Sequence, residues 1–88
     1  MPQISSFFGI TIKMFYPEHP PPHFHAIYGE HEANVSIETG EVIEGGLPKV
    51  AARLVKEWAL VRHHQLRENW ARARAGEQPE RIVGLDAD

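Results

Sequence analysis

His19, His23 and His25 follow the spacing H-x3-H-x-H in the run His19-Pro20-Pro21-Pro22-His23-Phe24-His25-Ala26. Imidazole suits two tasks, ligating a divalent metal and moving a proton near neutral pH. On a strand, His23 and His25 stand ~6.5 Å apart on one face, so both rings reach one ion. His19 is expected ~12 Å from His23 along a polyproline connector, so a third ligand has to come from elsewhere. As catalysts, His23 and His25 would transfer protons, with Asn34 and Ser36 as hydrogen-bonding neighbours and Glu18 and Glu32 as the nearby acids. No activated nucleophile accompanies them. The plainer alternative is a pair of hydrogen-bonded histidines on a half-exposed sheet. No P-loop, Rossmann glycine pattern, nucleophile elbow or H-E-x-x-H occurs, so no cofactor is expected other than a divalent metal on His23 and His25.

A second group lies further along. Lys49, Arg53, Lys56, His63, Arg67 and Arg74 fall within about one quadrant of a helical wheel, away from Leu54 and Trp58. Such a stripe suits phosphates, and Lys49, Arg53, Lys56, Arg67 and Arg74 are the expected binding residues if the partner is RNA. The alternative is a solvated helix face that bridges to acids on the sheet.

Positioning these residues requires a sheet and a helix. Ile10, Ile12, Met14 and Tyr16 alternate with Gly9, Thr11, Lys13 and Phe15, predicting a strand over 7–16 that Pro17 ends. Residues 17–22 form a stiff polyproline connector. Gly29-Glu30 is a two-residue turn of the type II′ kind, joining strands 23–28 and 31–38 into a hairpin. Its register sets Tyr28 opposite His31, His25 opposite Asn34 and His23 opposite Ser36. Phe24, Ala26, Tyr28, Ala33 and Val35 then share the apolar face, and His23, His25, Asn34, Ser36 and Glu32 share the other. Thr39-Gly40 predicts a second reversal into a strand at 41–44 with Val42 opposite Ile37, a register that would also set Glu38 against Glu41. From Lys49 to Ala75 there is no Gly or Pro, which predicts one helical segment over 48–75 with Gly76 as C-cap. Its apolar stripe, Leu47, Ala51, Leu54, Trp58 and Val61, slips by about 100° to Leu66, Trp70 and Ala73, so a bend or break is expected between Val61 and Gln65. The tail, 77–88, has room for a short strand at 80–85.

The chain of 88 residues, 42% apolar and 24% charged, with mean hydropathy −0.37, is expected to form one domain, 1–88, with no membrane partner. Without cysteine there is neither a disulfide framework nor a thiolate metal site, and without a signal-peptide pattern at its start the chain is expected in the cytoplasm. The net charge of −3 is segregated. Residues 1–46 hold one base, Lys13, against six acids, whereas residues 47–76 hold seven bases against two acids. Such asymmetry points to an interaction surface or to pairing between the halves.

The H-P-P-P-H-F-H-A run, followed by Tyr28-Gly29, Ile37-Glu38-Thr39-Gly40-Glu41, Gly46-Leu47-Pro48 and a helix with Trp58 and Glu68-Asn69-Trp70, resembles the small bacterial DhiT-like proteins over residues 2–76. Members are described as the toxin half of type II toxin–antitoxin pairs. The motif positions carried over are His19, His23, Phe24, His25 and Tyr28. His63-His64 departs from the family pattern, where acidic or other polar residues are commoner. The resemblance implies a small antitoxin partner encoded nearby; RNA or the translation machinery is the expected target, and a homo-oligomer is also expected. The architecture expected is α+β, an antiparallel sheet of three to four strands packed against one long, kinked or broken helix. Against the toxin stands a non-enzymatic protein- or metal-binding module that uses the histidine face.

Overall fold

A computed structural model describes residues 3–15 and 19–86. Five antiparallel strands follow one another in space as in sequence: β1 (Gln3–Phe7), β2 (Ile10–Lys13), β3 (His23–Tyr28), β4 (His31–Ser36) and β5 (Val42–Gly45). Two helices, α1 (Lys49–Val61) and α2 (His63–Arg74), follow. The class is α+β as expected, with five strands instead of three or four and two helices instead of one.

The extra strand comes from residues 3–16. The alternation that suggested a single strand over 7–16 is interrupted at Phe8-Gly9, where both residues have positive φ, +50° and +78°. Two left-handed residues make a hairpin turn, so Phe7 pairs with Ile10 and Ser6 with Thr11. Phenylalanine rarely takes that conformation, and its presence concealed the turn. The register shifts between Gln3 and Ser5, which leaves Ile4, Ser5 and Phe7 all buried and hides the strand's period of two. Tyr16 and Pro17, expected to close that strand, and Glu18 lie outside the described residues.

β3 and β4 pair as the turn chemistry demands. His23 faces Ser36, His25 faces Asn34 and Tyr28 faces His31. Gly29 has φ +60°, the value the first position of the turn requires and one that costs glycine nothing. The next reversal is longer than expected. Val42 lies opposite Val35, not Ile37, and Glu44 opposite Asn34. The Ser36 hydroxyl accepts the amides of Glu38 and Thr39, and the Thr39 hydroxyl accepts that of Glu41, stabilising a loop where a two-residue turn was expected. Gly40, with φ +75°, lets this loop close on α1, for a Cβ there would lie 3.0 Å from Lys56 Cγ. The expected repulsion between Glu38 and Glu41 is avoided, because the two carboxylates turn instead to α2 and α1.

The helices pack on the face that carries Phe7, Phe24 and Val35. Trp58 is fully buried, with ring centroids 5.3 Å from Phe7 and 5.5 Å from Phe24. The helical segment breaks at Arg62, within the predicted interval, which turns Leu66 and Ala73 into the core. The buried stripe of α1 is Ala51, Val55, Trp58 and Ala59. Val61, expected in it, is exposed, because α1 carries aliphatic residues around its circumference and the core needs only one side.

No strand forms at 80–85. This segment crosses the helices as an irregular strap: Trp58 Nε1 donates to the Val83 carbonyl at 2.9 Å and the Ile82 amide donates to the Ile4 carbonyl at 2.7 Å. Asn69, buried in α2, acts as a surrogate backbone, donating to the Glu80 carbonyl at 2.7 Å and accepting the Glu80 amide at 2.9 Å. No helix among the described residues is long and apolar enough to cross a membrane.

Asn69→Ala leaves both Glu80 groups without their partner and is expected to lower stability by about 2–3 kcal/mol in urea unfolding. Ser5→Ala is the internal control. The Ser5 hydroxyl is buried with no hydrogen-bond partner among the described residues, so its removal should leave stability unchanged or raise it by up to about 1 kcal/mol.

Candidate functional site

Because opposite residues of an antiparallel pair share a face, the registers assemble one polar row across the whole sheet. Gln3 pairs with Lys13, Lys13 with His25, His25 with Asn34 and Asn34 with Glu44. This row lies on the side away from Trp58 and the buried stripe. His25 is at its centre. Asn34 Nδ2 donates to Glu44 Oε1 at 2.9 Å, which fixes the amide beside the imidazole. Glu32, diagonal to His25 on β4, places Oε2 3.9 Å from His25 Nδ1, beyond hydrogen-bond distance.

A line of rings crosses this row. Phe15 packs edge-on to His25 with centroids 4.4 Å apart, His25 lies 5.3 Å from His23, and His23 lies 5.4 Å from Trp70. The line links the centre of the sheet to α2. Rotation of the helical face at Arg62 is what brings Trp70 to His23, and no sequence spacing announced that contact. Rings of this kind offer stacking and edge contacts to planar or apolar partners.

His23 is oriented by the connector. Its Nδ1 lies 2.8 Å from the Pro21 carbonyl. A carbonyl only accepts, so Nδ1 must carry the proton and, in the neutral ring, Nε2 carries the lone pair. That tautomer suits a base or a metal ligand. Among the described residues no group of three or more His, Asp or Glu side chains is placed to hold a metal ion, so His23 and His25 lack the third ligand sought from the sequence. Ser36, expected as a neighbour of the histidines, shares their face, and its oxygen is engaged with the 37–41 loop.

The basic stripe is divided. Lys56 pairs with Glu41 and Arg67 with Glu38, so two of its five Lys and Arg side chains bridge the helices to the sheet. Lys49, Arg53 and Arg74 are exposed and form no ion pair among the described residues. Because the chain breaks at Arg62, the bases of α1 and α2 do not continue along one helix axis.

Fold and site together define a small α+β protein whose meander sheet is backed by helices on one side and presents a histidine-centred polar row on the other. The chain belongs to the family described as a domain of unknown function, DUF4160, whose model matches residues 9–71 and so includes β2 to β5, α1 and most of α2. No curated protein and no solved structure matches it.

The Pro21 contact makes a direct prediction. Nitrogen-15 NMR of the neutral His23 ring should show the proton on Nδ1, and a predominant Nε2-protonated tautomer would contradict the contact.

Proposed function

We propose that the protein is the toxin-like component of a bacterial type II toxin–antitoxin module that acts by binding, with the histidine face as its working surface and a small antitoxin encoded nearby covering that face. The observation that carries this proposal is the row Lys13–His25–Asn34–Glu44 with its crossing line of rings. Core packing is done by the opposite face, while Lys13, His25 and Asn34 remain partly exposed and Glu44 exposed on this one. The toxin–antitoxin setting rests on the sequence resemblance, and the target class on chemistry: RNA or the translation machinery would meet the rings on the sheet and the exposed bases Lys49 and Arg74 on the helices.

A second mode of action, a protein-binding regulatory module, is favoured by one observation. Glu41 and Glu38 neutralise Lys56 and Arg67, which removes two phosphate-binding charges and leaves the sheet side acidic. Protein surfaces tolerate that balance better than a polyanion does.

Inducible expression in a bacterial host, with and without the neighbouring gene, tests the proposal. Growth arrest relieved by the neighbour is expected, and His25→Ala should abolish it. No arrest, or undiminished arrest with both His23→Ala and His25→Ala, would contradict a role for this face in toxicity. If the target is RNA, the Lys49→Ala, Arg74→Ala double variant should reduce the slope of log affinity against log salt by about 0.7–0.9 per lost phosphate contact, while His25→Ala leaves the slope unchanged. Absence of salt-dependent RNA binding would leave the protein-binding mode.

A further inference from the structure

The outward side of α1 is not an ordinary solvated helix face. Val50, Leu60 and Val61 are 59%, 53% and 61% exposed on a helix of 13 residues. With Arg53 and Glu57 they occupy about 100° of arc, at about 100° per residue, opposite the buried stripe. Beside Val50 the surface is indented. Phe8, Ile10, Tyr28, Pro48 and Leu54 join Val50 in lining a depression of about 90 Å³. Small-molecule sites enclose roughly 300–1,000 Å³, so this one is on the scale of a single side chain. Phe8 stands on its rim, exposed and held at a φ of +50°, a conformation a bulky residue adopts at a cost.

The order of residues along α1 is self-complementary. The midpoint between Val50 and Val61 is position 55.5, and the midpoint between Arg53 and Glu57 is position 55. A two-fold axis through that point, perpendicular to the helix, sets each member of a pair against the other member on a second antiparallel helix. The separations agree. Eleven residues span ~16 Å and four span ~6 Å, and inversion of the helix direction preserves both. We infer that this face docks a second copy of the chain, α1 against α1 antiparallel. The partner subunit's Val61 enters the depression beside Val50, and Arg53 pairs with the partner subunit's Glu57.

Charge complementarity selects this occupant. Arg53 and Glu57 are four residues apart on one helix, yet form no ion pair among the described residues. Arg before Glu is the weaker intrahelical order, which leaves both groups available to a partner. In the two-fold pair each meets its opposite, twice, at the centre of a contact whose ends are aliphatic. Such symmetric use of one patch is the commonest way for a chain to form a dimer. The dimer would leave both histidine faces outward, so the inference is independent of the proposed function.

Sedimentation equilibrium of the full chain tests it. A species of twice the 10.0 kDa chain mass is expected below about 1 mM. Val61→Asp should weaken association at least ~10-fold, because the depression would receive a charge without a partner. Arg53→Glu and Glu57→Arg should each be monomeric alone, since like charges then meet at the centre. Mixed in equal amounts, these two variants should recover the dimer mass, because the wholly acidic centre of the first then faces the wholly basic centre of the second. All three positions are exposed, and circular dichroism should report an unchanged fold. A wild-type chain that stays monomeric at that concentration would overturn the inference. So would a dimer indifferent to Val61→Asp, or a mixture no more associated than its components.

Discussion

The type II′ turn at Gly29-Glu30 decides which residues of this protein are core and which are surface. Side chains alternate along a strand, so sliding β3 by one position against β4 would move Phe24 and Ala26 out of the core and His23 and His25 into it. Burying two imidazoles without designed partners and exposing an aromatic anchor of Trp58 would each cost free energy, and the errors would repeat along the strand. The observed register satisfies both faces at once. Every further element is set by it: β2 and β5 pair on either side, extending the row through Lys13 and Glu44, and the helices cover the apolar face that the register defines.

Where local chemistry and hydrophobic period agreed, the sequence was transparent. The hairpin from His23 to Ser36, pair by pair, follows from a glycine at the right turn position and an alternation that has only one sensible side. The helix break at Arg62 was legible too, because a 100° slip of the apolar stripe cannot be served by a straight rod against a flat sheet. Elsewhere the signals conflicted. Phe8-Gly9 makes a hairpin turn with an aromatic residue in a glycine-like conformation, so the first ten residues concealed a strand. The 37–41 loop depends on the hydroxyls of Ser36 and Thr39, whose effect on loop length no periodicity records. Val61 appeared to be core because a helix with aliphatic residues on several sides offers more than one stripe; only the position of the sheet chooses among them.

The charge segregation has a structural use. The acidic loop after β4 and the basic helices meet as Glu38–Arg67 and Glu41–Lys56, one pair for each helix. Exposed pairs of this kind add at most about 1 kcal/mol each, so their main effect is on charge: they lower the positive potential of the helices. The site was partly legible on the same terms. His23, His25 and Asn34 came together because register is a local property. Trp70 joined them through the helix break and strap, which are properties of the whole fold. Asn69 was missed as a determinant because its work, holding Glu80 at both backbone groups, lies between segments that share no pattern in sequence.

In the proposed function the antitoxin meets the histidine-centred face of the sheet, and not the helix side assigned to a second copy of the chain. Chemical-shift mapping tests it most directly: nitrogen-15 labelled protein is titrated with the purified product of the neighbouring gene, and the perturbed residues are placed on the structure. Perturbations centred on Lys13, His25, Asn34 and Glu44, and reaching Trp70, are the result expected. Perturbations confined to the outward side of α1 and α2, or no perturbation at saturating partner, would contradict it.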